Sequence, residues 1–370
     1  MRQSGDILIT GGYGIVGRRI AADLAPDYPG RVVVAGRSGD TAVRLAAALG
    51  HDARGRRIDV GDPTSIAVAL DGVGLVVSCI DQPNADVLRE AITRGLAYTD
   101  IAPHLVTRRP TDAMRAEALR AGARIVLGAG LAPGISSMLA RLAADRVGAV
   151  ESVASSVLLS VGDVYGPASR AYILEEIVLP YSVLIDGREV PARSFVGAAR
   201  VRFPPPIGMR TAYRFPFSDQ VFFPQTLGAR TALSRLALDP PWLGRLLSAL
   251  ARLGVPAIMT RHGNARERFD RIHAWLQRRY QGLNCYGAVV EVRGARGVVR
   301  AGVAGRGQAT GAAAGAAALA RALIEGEVEK PGIWLAEEVV PAGPFFERLA
   351  ARGLVPVVEA RLEPGPERRL

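Results

Sequence analysis

Lysine is almost missing from this chain: Lys330 is the only one among 46 basic residues. The net charge of +11 therefore rests on arginine, a bias that reads as codon composition and implies no more than a modest pull toward anionic ligands. No basic run carries interleaved aromatics, which argues against nucleic acid as a partner. Cysteine is nearly absent too. Cys79 and Cys285 lie too far apart in the chain to suggest a disulfide framework, and a reducing cytoplasm is expected. None of the four histidines, His51, His104, His262 and His273, has a Cys or His partner at ligand spacing, so no metal site is expected. Long apolar runs are also wanting. The nearest, residues 309–324, is rich in Ala and Gly, lies near Arg306 and Arg321, and falls short of the ~18 residues of a membrane span. A strand begins within a few residues of Met1, which leaves no room for a signal peptide.

What the chain does have begins at residue 6. Ile7, Leu8 and Ile9 form a short β-rich run, glycines follow at once, and Ile15, Ile20, Ala21 and Leu24 then recur at helical spacing. Between strand and helix stands Gly12-Tyr13-Gly14-Ile15-Val16-Gly17, the Gly-x-Gly-x-x-Gly spacing of a dinucleotide-binding turn. Such a turn needs one glycine for the bend, one for close approach of a pyrophosphate and one for tight helix–strand packing, and the helix N-terminus offers its free N–H groups to phosphate.

A length of 370 residues suggests two domains. Strand and helix alternate six times over residues 7–127, with strands expected at 31–35, 57–60, 75–80, 97–101 and 124–127 and helices between them. This is the doubly wound parallel pattern of a Rossmann sheet, in which ligands sit beyond the C-terminal strand ends. Asp62 ahead of Pro63 reads as a helix N-cap. After a helix at 133–146 the register changes. A longer strand is expected at 151–161, a helix at 167–179, irregular structure across the prolines of 204–224, and a hairpin about 294–297. The expected division is a dinucleotide domain at 1–148, an inserted mixed α/β domain at 149–305 for substrate and dimerisation, and returning helices at 306–370.

Arg37 and Ser38 close the second strand where an NAD-specific site would carry an acid. Their chemistry suits the 2′-phosphate of NADP(H), with NAD(H) left open. Asp59 and Val60 stand where adenine is flanked, and Ser78, Cys79 and Ile80 end the fourth strand beside the expected ribose and nicotinamide. Tyr98 and Asp100 alternate on the fifth strand, so their side chains point the same way, and they are the polar pair available as catalytic acid or base. In the middle region Asp163, Tyr165, Arg210, Tyr213, Arg214 and Asp219 are the polar residues suspected of substrate contact.

The segments GGYGIVGR, VVVAGRS, VVSCIDQP, AYTDIA and GLAPG, with PGIW and PFFERLAARG near the end, resemble the saccharopine dehydrogenase-like family of NAD(P)-dependent oxidoreductases. The resemblance is good over residues 7–146, weaker after 286 and poor between. It implies a Rossmann domain interrupted by a mixed α/β domain, with residues 309–324 packed back on the first 148. It implies also hydride transfer to or from the C–N bond of an amino acid, amine or imine adduct; a homodimer is expected. Two other dehydrogenase classes fail on the single lysine. A Tyr-x-x-x-Lys pair does not exist, because Gly326 stands four residues before Lys330, and the Glu-Lys-Pro at 329–331 lies far beyond the Rossmann strands. The rival reading is a non-catalytic nucleotide-binding protein that acts through its second domain.

Overall fold

The computed structural model describes residues 4–80, 82, 84–101, 111–254, 265–280 and 282–362. Asp81, Ala102, His104 and His262 lie outside them.

The first stretch alternates as the sequence suggests: β1 (Asp6–Thr10), α1 (Gly17–Leu24), β2 (Val32–Gly36), α2 (Gly39–Leu49), β3 (Arg54–Arg57), α3 (Pro63–Ala69), β4 (Val73–Ser78), α4 (Asp86–Thr93), β5 (Ala97–Asp100), α5 (Asp112–Ala121) and β6 (Arg124–Leu127). All pairings among these strands are parallel, with Ile7 opposite Val32 on one side and Leu75 on the other. Ile7, Leu8 and Ile9 are fully buried, as are Val33, Val34, Val76 and Val77. Burial of each such side chain contributes about 1.5–3 kcal/mol, which explains why the centre of this sheet tolerates no polar alternation. Capping sets where helices begin. Ser38 Oγ accepts from Thr41 N–H, Asp62 from Thr64 N–H with Pro63 following, and Thr111 from Met114 N–H.

The chain continues as α6 (Ile135–Val147), β7 (Val150–Ser160), α7 (Pro167–Val178), β8 (Tyr181–Ile185), β9 (Arg188–Ala192), β10 (Ala198–Phe203), β11 (Gly208–Arg214), α8 (Asp219–Thr226), β12 (Thr231–Asp239), α9 (Pro241–Arg252), α10 (Ala265–Arg279), β13 (Cys285–Gly294) and β14 (Gly297–Arg306). It ends with α11 (Gln308–Glu325), β15 (Gly332–Leu335), α12 (Ala336–Val339), α13 (Ala342–Ala350) and β16 (Val357–Leu362).

Two compact units result, each assembled from separated pieces: Met1–Gly134 with Ala309–Arg352, and Ile135–Gln308 with Gly353–Leu370. The first holds a seven-stranded sheet of order β15-β6-β5-β4-β1-β2-β3, so strand order reverses between β1 and β4, where α/β sheets place their ligands. The helix α11 belongs here. Its one buried charge, Arg321, is held by Asp27 at 2.5 Å and Asp23 at 3.3 Å beside the end of α1. The second unit holds a nine-stranded mixed sheet, its main path running β10-β11-β12-β7-β13-β14-β16.

Several expectations need correction. The third strand is Arg54–Arg57 rather than 57–60, because the buried Ile58 that suggested it follows the strand's end. Residues 204–224 are largely regular. The triplet Pro204, Pro205 and Pro206 is confined to the turn between β10 and β11, β11 contains no proline, and α8 accommodates Pro224 near its C-terminal end. The boundary between units falls at Gly134, ahead of α6, rather than at 148. Residues 357–362 do not join the returning helices but pair with β14 in the second unit.

Candidate functional site

At the end of β1 the chain makes a turn that only glycine fits. Gly11 has φ +66°, and a Cβ there would come within 2.5 Å of Ile80 Cγ2. A Cβ on Gly17 would overlap the Gly11 carbonyl oxygen and sit 2.8 Å from Gly12 Cα, so α1 can start only this close to β1 with glycine at that position. Gly14 is exposed, with Gly11 O at 3.0 Å the one atom near its missing Cβ. Within the turn Gly12 N–H donates to Ala35 O and Gly14 N–H to Gly11 O. Among the described residues, the N–H groups of Tyr13, Ile15, Val16 and Gly17 find no acceptor. Four orphan donors at a helix N-terminus fit a phosphate-bearing cofactor, which would supply the negative oxygens they lack.

Tyr13 lies on the end of β2. A Cβ on Gly36 would be 2.8 Å from its hydroxyl oxygen, and that oxygen accepts from Ser38 N–H at 3.2 Å. Next to it Arg37 is exposed, and its guanidinium makes no hydrogen bond or ion pair among the described residues. Ser38 Oγ is occupied in capping α2. Asp59 serves its own turn, accepting from Gly61 N–H at 3.1 Å, while its N–H donates to Ser65 Oγ at 2.9 Å; Val60 is half-buried.

Beyond β1, β4, β5 and β6 runs a chain of hydrogen bonds closed off from solvent. Thr10 Oγ1 donates to Ser78 Oγ at 3.2 Å. Gln82 Nε2 donates to Ser78 Oγ at 2.9 Å and to the Tyr98 hydroxyl at 3.2 Å. The Tyr98 hydroxyl donates to Asp100 Oδ2 at 3.3 Å, and Asp100 Oδ1 accepts from Gly128 N–H at 3.1 Å. Tyr98 and Asp100 do point the same way, but both are fully buried. Burial, then the Asp100 charge, holds the Tyr98 phenol well above its ordinary range and pushes the Cys79 thiol up to about 12, so Cys79 is an inert thiol at neutral pH. Gln82 escaped the sequence reading. It stands between Asp81 and Pro83 in what reads as a loop, yet it is buried and joins β4 to β5, with its Oε1 accepting from Val87 N–H. Ahead of α6, Gly130 and Gly134 form a bridge, and a Cβ on Gly134 would overlap Gly130 O.

The six residues of the second unit stand past the end of β7, along β11 and at the start of α8. Asp163 and Tyr165 stand past the end of β7. Asp163 accepts from the N–H groups of Val164 (2.7 Å) and Gln308, and the Tyr165 hydroxyl donates to Ser160 O at 2.8 Å. The Tyr165 ring meets His273 edge-on at 5.9 Å, and burial followed by Arg170 holds that imidazole below its ordinary pKa. Arg210, Tyr213 and Arg214 follow on β11. Tyr213 is buried against Phe195, Arg214 lies along Gly197, and Arg210 Nε is buried without a hydrogen-bond partner. Asp219 opens α8 and is fully buried. Neither of its oxygens makes a well-formed hydrogen bond, nor do the buried hydroxyls of Ser136, Ser155 and Ser218. Desolvation raises its carboxyl to about 6, against a smaller opposing pull from Ser136 and Ser155. A cavity of about 360 Å³ opens on the same unit between Arg202, Met209, Arg300 and Glu359, and none of the six lines it. No cluster of potential metal ligands occurs among the described residues, and no described helix is long and apolar enough to cross a membrane.

Comparison with known proteins agrees with this geometry. Residues 7–127 match the family model of the saccharopine dehydrogenase NADP binding domain. The whole fold is similar to apo saccharopine dehydrogenase (L-Glu forming) from Saccharomyces cerevisiae, with a TM-score of 0.69 at 16% identity over 96% of this chain and 100% of that one. Less close are a putative myo-inositol dehydrogenase from Sinorhizobium meliloti (TM-score 0.44, 12% identity, 94% of each chain) and GenD2 from gentamicin A biosynthesis in complex with NAD (TM-score 0.42, 14% identity, 98% of each). The resemblance read from the sequence therefore holds: the first unit carries an NADP(H)-binding domain of the saccharopine dehydrogenase type, within a chain of saccharopine dehydrogenase fold.

Proposed function

We propose that the protein is a cytoplasmic, homodimeric NADP(H)-dependent oxidoreductase acting at the C–N bond of an amino acid, amine or imine adduct. The observation that carries this reading is the turn at Gly12–Gly17. Its four orphan N–H groups lie within the matched NADP-binding domain and one strand away from an unpaired, exposed Arg37. NADP(H), when bound, supplies or accepts the hydride. In this reading the N–H groups of residues 13 and 15–17 hold the pyrophosphate, Arg37 and Ser38 take the 2′-phosphate, Asp59 and Val60 flank the adenine, and residues 78–80 face the ribose and nicotinamide through backbone.

For the proton, Asp100 with Tyr98 is the proposed pair. Because Asp100 is enclosed and spans β5 to the Gly128 loop, it also acts as a positioning residue, setting the path of the chain from Gly128 to Gly134. In the second unit Arg210 and Asp219 retain unused polar capacity, which supports substrate contact for these two more than for Asp163, Tyr165, Tyr213 and Arg214. The enclosure of Tyr98 and Asp100 is the one observation that favours the non-catalytic rival. NADPH binding should be measured first, then NADPH oxidation against paired amino acids and keto acids, and NADP⁺ reduction against secondary amines. Turnover of any C–N substrate supports the enzyme, whereas tight NADPH binding with no absorbance change across the whole panel supports the rival.

A further inference from the structure

The nine-stranded sheet of the second unit ends on one side in β16, VVEARL, and every residue of that strand is exposed. Val357, Val358 and Leu362 keep 43%, 36% and 46% of their surface, and Val357 and Glu359 also line the cavity beside Arg202 and Arg300. An exposed edge with β-branched residues presents a row of unpaired N–H and C=O groups, which natural proteins usually blunt with charge of one sign or with proline. Two other edge strands in this molecule, β3 and β10, follow that practice. β3 carries Arg54, Arg56 and Arg57, and β10 carries Arg200 and Arg202 without an acid. β16 differs from both in having one acid and one base, Glu359 and Arg361, on the same face of the strand and symmetric about Ala360.

We infer that β16 is the homodimer interface, pairing antiparallel with β16 of a second copy about a two-fold axis at Ala360. This inference rests on the homodimer reading above. The register follows from the letters. A two-fold at Ala360 sets Glu359 opposite the copy's Arg361, Arg361 opposite the copy's Glu359, and Val358 opposite the copy's Leu362. Moving the axis by one residue toward either end sets Glu359 against Glu359 or Arg361 against Arg361. Opposite charges directly across an antiparallel pair stabilise it, and like charges destabilise it, so one register is selected. Within the chain Glu359 is held only loosely, by Arg300 of β14 at 3.5 Å, while Arg300 is already engaged with Glu291 at 2.6 Å. The two nine-stranded sheets would then join into one, and the most open edge of the unit would disappear.

The test uses sedimentation of the full chain across a range of concentrations, with and without substitutions at these exposed positions. Wild type should be dimeric. Glu359→Arg should weaken the dimer by about tenfold or more, because both charge pairs become arginine against arginine, and adding Arg361→Glu should restore it. Ala360→Cys should give an intermolecular disulfide on mild oxidation, since directly opposed Cα atoms lie about 4.5–5.5 Å apart, within disulfide reach. A dimer that is indifferent to Glu359→Arg and does not cross-link through position 360 overturns the β16 interface and leaves the homodimer reading standing. A monomer at every concentration overturns both.

Discussion

Replacing Asp219 by Asn should alter how stability depends on pH. The carboxyl is fully buried, and desolvation raises it from 3.8 to about 6 in the folded protein. A shift of about two units corresponds to roughly 3 kcal/mol between the protonation states. The sign follows from which state holds the proton. Between these two values the folded chain keeps Asp219 protonated while the unfolded chain has released it, so stability falls as pH rises. The contribution is whole below about pH 3.8 and lost once pH passes about 6. Ion-paired carboxylates elsewhere move stability the other way, and Glu176, raised to about 7 by burial and then by Glu175, adds to the same trend. Both effects are common to wild type and variant. The quantity to read is therefore the difference between Asp219→Asn and wild type, from denaturant midpoints and slopes at pH 4 and pH 7. The variant should gain on wild type by about 2–3 kcal/mol between these values, because Asn carries no charge to desolvate. A difference that stays constant with pH would refute the reasoning, and would mean that Ser136 and Ser155 donate to an ordinary carboxylate.

Three further outcomes are expected. The ratio of kcat/KM, or of Kd, for NADPH over NADH should favour NADPH by about 10- to 100-fold through Arg37, given about 1.5–3 kcal/mol for a charged hydrogen bond. Arg37→Asp should reverse it and Arg37→Ala should only reduce it, whereas equal affinity of wild type for both cofactors removes Arg37 from the site. Asp100→Asn should lower turnover by about 10²-fold with NADPH affinity nearly unchanged. Loss of one limb of the pH–rate profile identifies proton transfer, and an unchanged profile identifies positioning of the Gly128 loop. Gly17→Ala should abolish NADPH binding and lower the melting temperature, since its Cβ overlaps Gly11 O; normal NADPH affinity in a folded Gly17→Ala protein would contradict the turn geometry.

The glycine turn and the alternation of the first unit were legible because they are local. A switch from period two to period 3.6 with glycines between leaves few alternatives, and the place of β1, β2 and β4 inside a parallel sheet follows from their apolar runs. β3 was less legible. An edge strand of four residues, RGRR, buries little and so has no hydrophobic pattern to read. Tyr98 and Asp100 showed their common direction but not their enclosure, which depends on Gln82 and on the Gly128 loop folding over them. Nor could the letters reveal that Asp219 lies beside Ser136 and Ser155 in the interior. Those serines come from α6 and β7, and only the fold brings them to Asp219.

The split composition of the first unit bears on how the chain is made. When a ribosome has released residues 1–134, six strands of the parallel sheet are present, but β6 still shows a bare edge and the place of α11 is unfilled. The missing strand β15 pairs residue for residue with β6, Gly332 with Arg124 through Leu335 with Leu127, and it emerges about two hundred residues later. At ordinary rates of roughly 5–20 residues per second the incomplete sheet waits for ten seconds or more. Meanwhile β7 to β14, nearly all of the second sheet, can form. The nucleotide unit is thus first begun, yet finished only after nearly all of the second unit has been made. Closing the β6 edge must overcome the entropy of a very long loop, a task shared by the β15 ladder and by the Arg321 clamp on Asp23 and Asp27. Truncation anywhere ahead of β15 should therefore leave a chain that exposes a hydrophobic strand edge and is prone to aggregate during synthesis, even though every residue of the glycine turn is present.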